Sequence, residues 1–375
     1  MLSKFVKNQI NQYVLSQRLK KFNEKNFPPI VDNILHQVKL TSSEKGEILN
    51  RWGELYPRIY DKSSLFKWFR FFKYQCGYFD SRFVPGDIYN SAFELSLNPN
   101  TYSKFMEHKG MLCHFVDKQH KCTTIINRIN GCYYDGDSLL NKEAVIKKIH
   151  GIEGQMIVLK ESVDTGGGHG VRVVNKEQLN MGTFDSFFYS NDMIVEEYLK
   201  EGNDLKKYNP DTVNTIRMLT INLNGECSIA SAFLRIGMKG MAVDNVSSGG
   251  IWVGIKSDGS LYDYAMDKLL NKHLLSPSGI VFKGEHLRCY EVIKEYALNH
   301  HLNFPLANLV AWDFAINEDN CVVVIEVNLG WGDIYCHQVY NGPLFGMKVA
   351  GIYPNYKGLI INYVKNHPVK LIQRI

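Results

Sequence analysis

Several things are scarce in this sequence. Its eight cysteines, Cys76, Cys113, Cys122, Cys132, Cys227, Cys289, Cys321 and Cys336, form no C-x-x-C pair and no dense framework. That excludes a disulfide scaffold and reads as reduced, mostly structural thiols of a cytoplasmic protein. Nowhere is there an apolar run of roughly 18 residues, the length that marks a membrane-spanning helix. The opening stretch MLSKFVKNQINQYVLSQ sets polar groups at nearly every second or third position, so no signal core is expected either. Also missing is any G-K-[ST], without which a P-loop reading fails. Acidic residues are scarce at one end: residues 1–73 hold fourteen Lys or Arg against six Asp or Glu, although the net charge of the whole chain is only +5.

The 375 residues are 45% apolar, enough to bury the cores of two or three packed subdomains. The basic N-terminal end has two readings. One is an anionic partner, such as a membrane surface or a polyanionic glycan, which would put the protein at the periphery of the inner membrane; the other is a solvated helical face. SSLFKWFRFFKYQ (63–75) likewise reads either as an interfacial segment or as an aromatic helix packed in its own core. No recognition motif supports nucleic acid, and none is expected as a partner.

Residues 1–97 are expected to be a helical region. SSEKGEILNRWGELY opens with a cap at Ser42 or Ser43 and repeats Ile48, Trp52 and Leu55 at helical spacing. RFVPGDIYN (82–90) has the turn chemistry of a boundary or a substrate-side loop. From about residue 110 the period changes to two, and QMIVLKES, GVRVVN, DMIVEEYL, NTIRMLTIN, CSIASAFLRIG and GIWVGIKSDGSLYDYA read as strands. GEHLRCYEVIKEYALNHH (284–301) reads as one helix, and the strands NLVAWDFAIN and CVVVIEVN follow. The fold class is therefore α+β with mainly antiparallel sheets.

Two features carry chemistry. In VLKESVDTGGGHGVRVV (158–174) an apolar run ending at Lys160 meets four glycines in five positions. A dinucleotide-binding turn needs a helix after its glycines, because the helix N-terminus supplies the N–H groups that hold phosphate. Here GVRVV follows, so the second arm is a strand. Such a hairpin is a simple turn, or a loop whose backbone amides approach an anion unhindered by Cβ.

The second feature is LVAWDFAINEDNCVVVIEVN (309–328), two alternating strands around the turn NEDN. A four-residue loop pairs Ile316 with Cys321 and Asp313 with Val324, and sets Glu326 diagonally beside that pair. Trp312, Phe314, Ile316, Val323, Ile325 and Val327 then face the core. Ala311, Asp313, Ala315, Val324, Glu326 and Asn328 share the other face. Two carboxylates this close repel unless a cation neutralises them, and hard oxygens suit Mg²⁺.

Together the lysine-ended strand with its glycine hairpin, the acidic strand VEEYL and the final D…ExN hairpin resemble the ATP-grasp superfamily. NTIRMLT, LRIGMKGMAVDNVSSGGIWVGI and AWDFAIN…IEVN resemble the sugar-transfer-associated ATP-grasp proteins of bacterial surface-polysaccharide pathways, over residues 40–345. The resemblance implies an ATP-grasp fold, with a small lid subdomain over 98–200, a large metal-bearing subdomain over 201–345 and a tail over 346–375. It implies ATP and two Mg²⁺ ions. Lys160 and Lys109, with Lys104 as the rival, would contact phosphates, and Thr165 to Gly170, with Gly166, Gly167, Gly168 and His169, would form a lid. Glu196 or Glu197 and Leu199 would hold adenine, and Asp204 the ribose. Arg235 would stabilise the transferring phosphoryl and Arg217 would serve the site. Asp313, Glu326 and Asn328 would bind the metals, and Asn245, Gly249 and Gly250 would line the acceptor side.

The implied activity is an ATP-dependent carboxylate-amine ligase working through an acyl phosphate. Its expected substrates are a small-molecule carboxylate and amine, with a sugar or nucleotide sugar among them. An ATP-grasp kinase and a non-catalytic nucleotide- or glycan-binding accessory protein are the alternatives.

Overall fold

The computed structural model describes residues 17, 19–53, 62–98, 100–163, 165, 168, 170–223, 225–240, 244, 249–330 and 332–345. These form two compact units, one drawn from 1–99, 268–271 and 330–375, the other from 100–267 and 272–329.

Helices build the first unit: α1 (Pro29–Gln37), α2 (Ser42–Trp52), α3 (Lys62–Cys76) and a later helix over Ile334–Asn341. The cap of α2 is Thr41 rather than Ser42 or Ser43. Its hydroxyl accepts from Glu44 N at 3.2 Å while the Glu44 carboxylate accepts from Thr41 N at 2.7 Å, a reciprocal box that satisfies two end donors. Ile48 and Trp52 are buried as their spacing predicts, and Leu55 lies outside the described residues. In α3, Leu65, Trp68, Phe69, Phe71 and Phe72 are all buried, and Phe72 stacks on Phe83 at 4.4 Å. Those aromatics are core. Pro85 and Gly86 do not make an exposed loop, because residues 83–90 are buried. Gly86 begins a helical turn against Trp68, whose ring lies 2.5 Å from where a Cβ would stand.

Two antiparallel sheets build the second unit. After α4 (Asn100–Glu107) come β1 (Thr124–Ile129), β2 (Cys132–Asp135), β3 (Ser138–Leu140), α5 (Lys142–His150), β4 (Met156–Glu161), β5 (Val171–Asn175) and β6 (Met193–Glu197). Their strands form a six-stranded sheet in the order β3-β2-β1-β6-β4-β5. Val145 and Ile149 of α5 join Ile125, Ile157 and Leu159 in its core. The other sheet has seven strands: β7 (Thr215–Leu223), β8 (Glu226–Ile236), β9 (Ile251–Ile255), β10 (Ala265–Met266), β11 (Lys272–His273), β12 (Leu309–Ile316) and β13 (Val322–Asn328). Their order is β11-β10-β9-β8-β7-β12-β13.

Ile293 and Ala297 of α6 (Tyr290–His300) pack with Leu234, Trp312 and Phe314 on one face of this sheet. This helix starts at Tyr290, later than its periodicity predicts. Residues 284–289 are instead spent in bonds to a neighbouring turn, with Leu261 N donating to Glu285 O and Leu287 N to Gly259 O.

The β12–β13 hairpin departs from the expected register. Asn317 Oδ1 accepts from the amides of Asp319 and Cys321, holding a turn of five residues rather than four, so that Ile316 pairs Val322 rather than Cys321. A bulge then leaves Ile325 unpaired, and Asp313 pairs Glu326 directly. The outer half of β13 is therefore inverted relative to expectation, with Val322 and Val324 in the Trp312 core. The bulge restores the expected faces at Glu326, Val327 and Asn328.

Candidate active site

Strand alternation arranges the charged face of the seven-stranded sheet. Ile216, Met218, Leu234, Trp312 and Phe314 point to the core, so Thr215, Arg217, Arg235 and Asp313 point the other way. Pairing aligns them across strands: Arg217 lies opposite Asp313, Asp313 opposite Glu326, and Thr215 opposite Arg235.

Asp313 is the hub. Arg217 grips it as a fork, Nε to Oδ1 and Nη2 to Oδ2, the latter at 2.9 Å. Arg235 Nη2 reaches the same Oδ2 at 2.8 Å. Complete burial opposes ionisation of Asp313, but Arg217 and then Arg235 outweigh it and hold the carboxyl well below the usual range. On its other side Arg235 lies 3.4 Å from Asp244, and Thr215 Oγ1 donates to Asp244 while accepting from Arg235 Nε at 3.0 Å. Burial pushes the Asp244 carboxyl up, against the pull of Arg235.

The six-stranded sheet contributes the second wall. Lys160, from the end of β4, lies 2.6 Å from the Glu196 carboxylate on β6, and both are buried. Burial disfavours the ammonium, yet Glu196 more than compensates and the Lys160 pKa rises. Lys109 opens a 3₁₀ turn (Lys109–His114) tied to β4 by the bond from its N–H to Ser162 O at 3.2 Å. Its ammonium donates to Thr165 Oγ1 at 3.0 Å and lies 3.5 Å from Glu326. Lys109 thus meets the acid row of the other wall, while Lys160 is paired within its own sheet.

These groups line one cavity of about 280 Å³, whose remaining wall includes Val158, Val171, Val173 and Ile325. Lys109, Lys160, Gly168, Glu196, Glu197, Leu199, Arg235, Asp313 and Glu326 all border it. Lys104 is an exposed residue of α4 and does not. Arg217 and Asn328 reach the group through Asp313; Asn328 Nδ2 lies 3.4 Å from Asp313 Oδ2 and 3.5 Å from Glu326 Oε1. β6 is an interior strand, and the chain leaves its ladder after Glu197, so Tyr198 and Leu199 run along the cavity.

Other expected residues are elsewhere. Asp204 accepts from Cys289 N at 2.8 Å and is not part of the cavity wall. Gly249 and Gly250 lead into β9, away from that wall. Gly166, Gly167, His169 and Asn245 lie outside the described residues. The glycine segment does join two strands, with Lys160 opposite Val171 and Gly168 and Gly170 at positive φ.

Thr215, Asp244, Cys122, Asp211 and Thr212 also border the cavity and were not anticipated. Thr215 was within reach of sequence reasoning, because it stands two residues before Arg217 in NTIRMLT and shares its strand face. Burial raises the Cys122 thiol to about 12, which keeps it protonated.

Two antiparallel sheets that bring lysines from one and an arginine–carboxylate row from the other to a common cavity define an ATP-grasp architecture. The chain belongs to the sugar-transfer associated ATP-grasp family, whose model matches residues 89–349. No curated protein matches it.

Among solved structures, D-alanyl-alanine synthetase A from Vibrio cholerae is 14% identical, over 71% of this chain and 66% of that one, with a TM-score of 0.39. Biotin carboxylase from Campylobacter jejuni is 14% identical over 74% and 49%, with a TM-score of 0.41. L-amino acid ligase from Bacillus licheniformis is 10% identical over 61% and 41%, with a TM-score of 0.35. The chain thus spans less than two thirds of each of these three chains. No helix among the described residues is long and apolar enough to cross a membrane.

Proposed function

We propose that the protein is an ATP-dependent carboxylate-amine ligase that forms an amide through an acyl phosphate, on a sugar or polysaccharide precursor. The observation that carries this is the Arg217–Asp313–Glu326 row, with Arg235 beside it, facing Lys109 and Lys160 across one cavity. No nucleophilic serine or reactive thiol is needed, because phosphoryl transfer asks the protein mainly for positioning and charge neutralisation.

The donor set fits magnesium. Asp313 Oδ1 takes Arg217 Nε, and Oδ2 takes Arg217 and Arg235. A carboxylate offers about four lone-pair sites, so a metal at Asp313 would share that carboxylate with the two guanidiniums. The Glu326 side chain is 26% exposed and stands 3.5 Å from Lys109, so its oxygens are open to the cavity, and turning the Asn328 amide, whose Nδ2 faces both carboxylates, would add an oxygen beside them. Asp313, Glu326 and Asn328 would hold the metal, which supplies charge neutralisation on the phosphates. Need for it follows from the charges: Lys109, Lys160, Arg217 and Arg235 are already matched by Glu196, Asp244, Asp313 and Glu326. A polyphosphate must bring its own counter-cation.

In the proposed reaction a substrate carboxylate oxygen attacks the γ-phosphorus, an O–P bond forms, and the bond to the β-phosphate oxygen breaks to release ADP. The amine nitrogen then attacks the acyl carbon, phosphate leaves with the C–O bonding pair, and the nitrogen loses a proton. Arg235 faces the developing charge, Lys109 and Lys160 hold phosphate oxygens, and the apolar wall of Val158, Val171, Val173 and Ile325 receives the base. The β4–β5 glycine hairpin excludes water from the acyl phosphate.

The test is ADP release in a screen of uronic acids and nucleotide sugars crossed with amino acids and amino sugars, with mass spectrometry of products. Turnover requiring both a carboxylate and an amine is expected. Phosphorylated product from a hydroxyl substrate alone would replace the ligase with a kinase, and ATP binding without turnover on any pair would favour an accessory role.

A further inference from the structure

Arg235 stands between two carboxylates held by different parts of the seven-stranded unit. Its Nη2 lies 2.8 Å from Asp313 on β12, and its Nε 3.4 Å from Asp244, in the segment that follows β8. Thr215 bridges the Asp244 side. Its hydroxyl accepts from Arg235 Nε at 3.0 Å and from Nη2 at 2.8 Å, and donates its own hydrogen bond to Asp244 Oδ2. All three side chains are buried, so none of these contacts is diluted by water, and each guanidinium partner counts.

Asp313 is crowded. Arg217 occupies both of its oxygens, and Arg235 adds a further donor to Oδ2. A cation that takes Asp313 therefore competes with Arg235 for the same carboxylate. A buried guanidinium that lost its acid without gaining another would be strongly unfavourable.

We propose that Asp244, acting with Thr215, is a positioning residue that draws Arg235 off Asp313 when magnesium takes that carboxylate, leaving the guanidinium aimed into the cavity toward the phosphates. Asp244 gives Arg235 a second seat within reach of small torsional changes. Without it Arg235 pairs more tightly with Asp313, and magnesium has to displace it. The inference rests on the nucleotide-and-magnesium part of the proposed function and is independent of the acceptor.

The experiment measures binding of N-methylanthraniloyl ADP to the full chain, with and without magnesium chloride, for the wild type, D244N and T215V, and records each thermal midpoint. D244N is expected to raise the half-saturating magnesium concentration roughly tenfold and T215V about threefold, with metal-free affinity moving less than about twofold. D244E should recover most of the loss. Should D244N fail to show a cooperative melt, T215V, which keeps the side-chain volume, carries the test alone. An unchanged magnesium midpoint in the folded variants would overturn the proposal, as would an equal loss of affinity with and without metal. A wild type with no magnesium-dependent ADP binding would overturn both this inference and the nucleotide reading beneath it.

Discussion

The two sheets of the second unit handle buried charge in different ways. In the six-stranded sheet one ammonium, Lys160, meets one carboxylate, Glu196, at 2.6 Å. In the seven-stranded sheet two guanidiniums converge on Asp313, and another buried acid, Asp244, stands behind one of them. An ammonium is a compact point charge, whereas a guanidinium is a planar fork that divides its donors among several acceptors. The first arrangement holds a cation still; the second lets it trade partners.

The largest effect should come from breaking the hub. D313N leaves two buried guanidiniums without their shared carboxylate, and breaking a buried pair costs about 3–5 kcal/mol. Its urea midpoint should fall below those of all the other variants, and ADP formation should vanish. A D313N protein as stable as the wild type would mean that the arginines are satisfied elsewhere.

K160M isolates Glu196 and should cost about 3 kcal/mol. Because this pair is one-to-one, K160M/E196L should regain most of that stability in the same urea assay while nucleotide binding stays lost. A double mutant no more stable than the single one would show that the six-stranded sheet has a network too.

The seven-stranded sheet also has neighbours held neutral. Burial raises Glu201 to about 8 from 4.5, despite donations from Asn214, and burial lowers His301 to about 4 from 6.5. An acid raised on folding contributes stability in full below its unfolded pKa and loses it as pH climbs through the folded one. A base lowered on folding loses its contribution as pH falls through its window. Stability should therefore change little between pH 4.5 and 6.5, where the slopes oppose. It should decline by about 2 kcal/mol from 6.5 to 8 through Glu201, and by less than about 1 kcal/mol from 4.5 to 4 through His301. E201Q should flatten the alkaline limb and H301Q the acid one in melts recorded across pH.

G170A should have the smallest effect. Gly170 has φ +74°, and an added Cβ would stand 3.0 Å from the Glu161 side chain. A loss of about 1–2 kcal/mol is expected, read as a small drop in thermal midpoint. A larger drop would tie the glycine hairpin to the Lys160 pair.

Apolar runs broken by turn residues were enough to read the two-stranded glycine segment, and the shared face of Asp313, Glu326 and Asn328 came out as expected because the bulge at Ile325 offsets the shifted register. What the chain does at long range was not legible. Arg217 and Asp313 are 96 residues apart, and no local pattern says that β7 and β12 are neighbours. Asp244 is a single acid outside the strands, with no period to assign its direction. The hairpin register was missed because Asn317 uses its side chain to hold a five-residue turn, a choice that residue spacing does not encode. Asp204 shows the converse: the family resemblance implied a ribose contact, whereas in the structure its carboxylate accepts from the N–H of Cys289.

The bulge at Ile325 does more than correct a register. In a regular strand, consecutive side chains leave on opposite faces, so an oily residue and an acid one step apart in mid-strand would face opposite sides of the sheet. With one residue unpaired, Ile325 and Glu326 both border the same space. The boundary between the dry and the ionic end of the cavity is thereby drawn within a single peptide unit, and deleting that one residue would erase it without removing any charge.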